Sequence, residues 1–145
     1  MNDADDIVDW VHFEKSRGEL GPGFIRILGY FREDGAKSVA ALEAAMREQN
    51  TVALVIPAHT LKGEARQFGA EPLAARAEHI ETTARYCIES RRFPDELIAD
   101  VVELRRLWGA TLDLFDKATN PLLTRAAPAS GGFGRKVTNQ GFGRI

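Results

Sequence analysis

Cysteine occurs once, at Cys87, so the chain can form no internal disulfide and no cysteine-based zinc cage, and a reducing compartment is the simplest reading. Histidine is scarce as well. The three present, His12, His59 and His79, include no pair at the i, i+4 spacing of a helical metal site, so no bound metal is expected. No apolar run approaches the ~20 residues that cross a bilayer. A clustered excess of basic residues is also missing, the formal net charge being -2, which argues against binding to a nucleic-acid phosphate backbone. At the amino terminus Asp3, Asp5 and Asp6 stand where a signal peptide would need a basic and then an apolar stretch, so a cytoplasmic location is expected. No Gly-rich loop followed by Lys and Ser or Thr offers an ATP site, and no period-two alternation offers a strand.

What is present is helical. The 145 residues are 44% hydrophobic, enough for one compact core. From Pro22 to about Gln49, Phe24, Leu28, Phe31, Val39, Leu42 and Met46 recur mostly at intervals of three and four, with Gly35 in the same stripe. Residues 51 to 68 repeat this with Leu54, Ala58, Leu61, Ala65 and Phe68. Residues 72 to about 91 do so with Leu73, Ala77, Ile80, Ala84 and Ile88. From Pro94 to Lys117, Leu97, Val101, Leu104, Trp108, Leu112 and Phe115 complete a fourth stretch. Pro22, Pro72 and Pro94 stand where first helical residues belong, Asn50 and Thr51 can cap the second long helix, and Gly69 can end it. A shorter helix, roughly Asp5 to Arg17, can lay Ile7, Trp10 and Phe13 across one end. Short connections favour antiparallel neighbours. The expected fold is therefore all-α: an up-down-up-down antiparallel four-helix bundle with an additional short N-terminal helix. Pro57 falls inside the second long helix, which should kink or begin again there.

Charge divides the chain. Residues 1 to 118 hold 15 Lys or Arg against 21 Asp or Glu, whereas residues 119 to 145 hold Arg125, Arg135, Lys136 and Arg144 and no acid. After Asn120-Pro121 periodicity is lost among Ala, Pro, Ser and Gly. A bundle domain over 1–118 and a disordered basic tail over 119–145 are expected, the tail repeating Gly-Phe-Gly-Arg at 132–135 and 141–144.

The segment Ala58-His59-Thr60-Leu61-Lys62-Gly63-Glu64-Ala65 carries the chemistry. With Ala58, Leu61, Ala65 and Phe68 facing the core, residues 59, 62, 63 and 66 share the opposite side. An exposed imidazole ordinarily titrates near pH ~6.5 and keeps a free ring nitrogen at neutral pH, which makes His59 a candidate nucleophile. Lys62, one turn on, can pair with a phosphoryl group carried by that nitrogen, and Arg66 extends the positive surface. Gly63 leaves bare backbone for the approach of a partner. On the next helix Glu81 can accept a hydrogen bond from the inner ring nitrogen, making the outer one reactive, and Arg85 can add charge near phosphoryl oxygens. Val55, on the His59 side and one turn earlier, suits an apolar docking rim. His12 and His79 read as ordinary surface residues, and Glu81 with Arg85 also reads simply as an i, i+4 ion pair.

His59-Thr60-Leu61-Lys62-Gly63, followed by Phe68-Gly69-Ala70 and Leu73-Ala74, resembles the signature of the histidine-phosphotransfer (HPt) domain family over about residues 5 to 115. The resemblance implies a four-helix bundle whose histidine is reversibly phosphorylated on its outer nitrogen with the lysine assisting. A polar residue on the next helix orients the ring: Glu81 stands there, where the family often has glutamine. It implies a monomeric phosphocarrier without cofactor, its partners being response-regulator receiver domains, which bring their own aspartate and magnesium, and a sensor histidine kinase. The family's usual small pair after the glycine is Glu64-Ala65 here, which places an acid near the site. Two rivals remain. One is a phosphorylation-incompetent adaptor of the same fold that only docks receivers. The other is a fragment of a histidine kinase, against which Thr60 counts, because an acidic residue commonly follows the histidine in its helices.

Overall fold

The structure is a computed structural model, and it describes residues 6–120 and 122. The expected basic tail with its Gly-Phe-Gly-Arg repeat lies outside the described residues, apart from 119, 120 and 122, as do Asp3 and Asp5. Among the described residues the bounded elements are α1 (Trp10–Leu20), α2 (Phe24–Arg47), α3 (Val52–Gln67), α4 (Glu71–Glu89) and α5 (Leu97–Thr119), with a 3-10 turn at Gly21–Gly23 between the first two. Among the described residues, those up to Leu112 form one compact unit and those from Asp113 another. No helix among the described residues is long and apolar enough to cross a membrane.

Local chemistry sets the boundaries. Asp6 and Ile7 are helical, the run breaks at Val8 and Asp9, and α1 begins at Trp10, where the Asp9 side chain accepts the His12 N–H at 3.2 Å and so fixes its first turn. Asn50 does the same for α3, accepting from the Ala53 N–H at 3.1 Å. Pro22 sits in the 3-10 turn instead of starting α2, and Pro94 precedes α5 by one turn, its carbonyl accepting from the Leu97 N–H. At the end of α3, Gly69 takes φ +81°, the Gly69 N–H bonds to Arg66 O and the Ala70 N–H to Ala65 O, a paired closure that satisfies otherwise orphaned carbonyls. The helix does not restart at Pro57; it runs unbroken from Val52 to Gln67.

Side-chain pairs trace the bundle. α3 and α4 run antiparallel: Arg66 meets Glu78, His59 meets Glu81, and Thr51 reaches the carbonyl of Arg92. α5 joins α4 through Arg76 and Asp100 at 2.7 Å, and joins α2 through Glu43 and Arg105 and through Trp108 against Gly35. Phe13, Phe24, Phe68, Phe31 and Trp108 form a continuous string of ring contacts 5.2 to 5.8 Å apart, tying α1 to the core. Most expected core positions are buried, but the stripe ends differently on two helices. Ala45 is buried in place of Met46, and Cys87 in place of Ile88. From Leu42 and Ala84 the buried line steps by three instead of four, as 3.6 residues per turn requires when a single face is followed.

α1 is latched onto the end of α3. The Asp9 N–H donates to Gly69 O at 2.9 Å, and the Ser16 hydroxyl donates to the Gln67 carbonyl. The helix that carries His59 thus has its C-terminal carbonyls occupied by the accessory helix, which anchors it at that end.

Candidate functional site

His59 stands on the outer face of α3 with 57% of its side chain exposed, while its Nδ1 lies 2.9 Å from Oε2 of Glu81, whose side chain is only 6% exposed. The same carboxylate holds two cations: Lys62 Nζ is 2.9 Å from Oε1, and the Arg85 guanidinium reaches Oε2 at 2.9 and 3.0 Å. Burial pushes the Glu81 carboxyl up, but hydrogen bonds from Lys62, Arg85 and His59 outweigh it and hold the group at about 2. An ionised carboxylate has only acceptors, so the hydrogen in the His59–Glu81 bond belongs to Nδ1. Nε2 then carries the free lone pair, on the exposed ring.

Along the same face of α3, Gly63 is exposed, and a Cβ there would meet nothing within 4 Å. Toward the N-terminus the face carries Val52 and Ile56, the latter 68% exposed. The sequence signal for these two is plain: apolar residues four apart that miss the core stripe of Leu54, Ala58 and Leu61.

Two expected placements are corrected. Val55 is 8% exposed and belongs to the core, because α3 packs on both α2 and α4 and so buries a wider arc than a one-sided helix. Val52 and Ile56 are the exposed apolar residues instead. Arg66 is not an open extension of positive surface: its guanidinium bonds Glu71 at 3.1 Å and Glu78 at 2.9 Å across the α3–α4 seam. Arg85 makes the i, i+4 ion pair with Glu81 that its spacing allows. His59, Lys62, Glu81 and Arg85 are therefore brought together in one network, with Gly63 beside it.

Glu64 follows Gly63 in sequence but does not join that network. Its Oε1 is buried without a hydrogen-bond partner, and its carboxyl is pushed up by burial and by the charge of Asp34 on α2. A carboxyl raised in the folded state binds its proton more tightly there than in the unfolded chain, so stability falls as pH rises from the ordinary value through the raised one. Glu81 has the opposite sign, contributing stability above pH 4.5 that is lost as pH falls toward 2. Glu64→Gln is expected to stabilise the protein at pH 7 by a few tenths to about 1 kcal/mol and to leave stability at pH 4 nearly unchanged, as urea denaturation at the two pH values would report.

No curated protein and no solved structure matches the chain. The family model of the Hpt domain matches residues 26–114, from the first turn of α2 into α5, taking in the whole His59–Glu81 network and leaving α1 outside. With more than half its length matched, and with an exposed imidazole bonded to a buried carboxylate on a helical bundle, the chain belongs to the Hpt domain family.

Proposed function

We propose that the protein accepts a phosphoryl group on Nε2 of His59 from the phospho-aspartate of a receiver domain or a hybrid histidine kinase and passes it to another receiver. Hpt domains are phosphocarriers of phosphorelays, exchanging phosphoryl groups with receiver domains and kinases. The observation that carries the assignment to His59 is the exposed ring whose inner nitrogen is bound to an ionised, buried Glu81.

The chemistry follows from that geometry. Nε2 attacks phosphorus with its lone pair, the bond from phosphorus to the aspartyl oxygen breaks, and its electrons return to the receiver's carboxylate. The Nδ1 proton stays in the hydrogen bond to Glu81, so the positive charge that develops on the ring faces a carboxylate 2.9 Å away. Lys62 and Arg85, each within one to two turns of the site on its helix, supply cations that phosphoryl oxygens can draw off Glu81. Gly63 admits a receiver's backbone beside the ring. Val52 and Ile56 give the receiver an apolar foothold next to the reacting atom. The chain acts as a cytoplasmic monomer with no nucleotide site of its own, the magnesium and the aspartate being the receiver's.

The test is transfer of label from a phosphorylated receiver. The protein should acquire phosphate that is labile in acid and stable in alkali, mapped to His59. An unlabelled protein beside a docked receiver would make it an adaptor instead. In the same assay Ile56→Asp should lower the receiver's apparent affinity roughly tenfold, about 1.4 kcal/mol, while labelling by the small donor phosphoramidate stays unchanged.

A further inference from the structure

Two large apolar side chains stand out from α5, Ile98 at 62% exposure and Val102 at 67%, and the site on α3 uses neither. They miss the core line of Leu97, Val101, Leu104 and Trp108. One turn before Ile98 lies Asp95, whose carbonyl accepts the Ile98 N–H at 3.2 Å, and one turn after Val102 lies Arg105. At about 100° per residue the four fall on one face, within an arc of about 80°. Their spacing is three, four and three, so the order acid, apolar, apolar, base is centred on position 100 and is its own complement when reversed.

We infer that this face of α5 pairs with the same face of a second copy, the two helices running antiparallel about a two-fold axis at position 100. Such an axis sets Ile98 against Val102 of the other copy and Asp95 against its Arg105, and each contact is made twice. Parallel helices would instead oppose Asp95 to Asp95 and Arg105 to Arg105, so like charges select against them. Both charged groups can take the new partner. Asp95 is exposed and makes no ion pair among the described residues. Glu43 holds Arg105 through Nε and Nη2, which leaves Nη1 for a second carboxylate. The face is small. Two apolar side chains a copy fall well short of the ~20 or more residues a side of a standard interface, so a Kd on the order of 10⁻⁴ M is expected. The chain is thus a monomer when dilute and pairs where copies are concentrated. Because α5 packs on α2 and α4, the two helices that flank α3, it lies across the bundle from His59, and pairing leaves both copies of that residue open.

Sedimentation equilibrium of the full chain from about 10 μM to about 1 mM tests this, and the average mass should climb from that of one chain toward that of two. Val102→Asp sets a carboxylate against Ile98 and should weaken pairing by at least about tenfold, and Asp95→Lys, which opposes like charges, should weaken it roughly tenfold. Val11→Asp, at an even more exposed apolar position on α1, should change nothing. An equal mixture of Ile98→Cys and Val102→Cys proteins, oxidised at about 1 mM, should give chiefly the mixed disulfide, with the buried Cys87 taking no part. A wild type that stays monomeric throughout would overturn the inference. So would association that Val102→Asp and Asp95→Lys leave intact, or disulfides between like variants forming as readily as the mixed one. The wild-type mass and the cross-links decide the matter even if a charged variant fails to fold. Pairing requires no phosphoryl group, so none of these results depends on the role of His59.

Discussion

His59→Gln is expected to accept no measurable phosphate from a phosphorylated receiver, a loss of at least on the order of 10³-fold, with the fold intact. Removing a nucleophile eliminates the covalent step itself, and such losses are among the largest single substitutions produce. Stability should move by no more than about 0.5 kcal/mol, since the side chain is 57% exposed and the glutamine amide can still donate to Glu81. Label after rapid mixing and a thermal melt on the same samples separate chemistry from folding. Acid-labile label persisting on the variant would place the phosphoacceptor at His12 or His79. Both have ordinary surroundings: the His12 N–H is used in capping α1, and the His79 ring sits 3.8 Å from Asp100, which Arg76 already holds.

Much of this site can be read before any fold is known, because it is written at helical spacing. Residues 59, 62 and 63 lie within four positions of one another, and the 3.6-residue turn alone puts them on one side of α3. Glu81 is legible at one remove. It flanks the core line of Ala77, Ile80 and Ala84, so any antiparallel α3–α4 pair turns it toward the seam. The Asp9 cap is present too, as an acid three residues before His12, but the apolar pattern reaching back to Ile7 hides it. What local spacing cannot supply is the other side of a contact. Arg66 looks free until the seam brings Glu71 and Glu78 to it. Val55 looks like a rim residue until α2 and α4 both close on α3. Glu64 looks like an acid beside His59 because it adjoins Gly63, yet five residues along a helix is a turn of about 500°, which carries it to the side of Asp34.

The same limit applies to Gly35, which in the sequence is only a gap in an apolar stripe. A Cβ built on Gly35 would overlap Cη2 and Cζ3 of the Trp108 indole and lie 3.0 Å from its Cζ2. The indole is itself buried and in ring contact with Phe31 at 5.2 Å, so it has little room to retreat. Gly35→Ala should therefore force α2 and α5 apart locally. Alanine in a helix interior returns about 1 kcal/mol of propensity, whereas overpacking of this kind costs about 3 kcal/mol. The expected net loss is about 2 kcal/mol, or roughly 6 °C in the melting temperature of a chain this size. A clash and a propensity effect are told apart by the partner substitution. Trp108→Leu alone leaves a cavity and destabilises, but in the Gly35→Ala background it makes room for the new methyl group, so the double variant should be more stable than the sum of the singles by at least about 1 kcal/mol. Additive losses would mean that the contact with the indole is not what excludes a side chain at position 35. Because the α2–α5 contact lies away from the α3–α4 seam, Gly35→Ala protein held well below its melting temperature should still take label on His59. That behaviour places Gly35 and Trp108 in the frame that holds the bundle together, and leaves the chemistry to His59, Glu81 and the two cations between them.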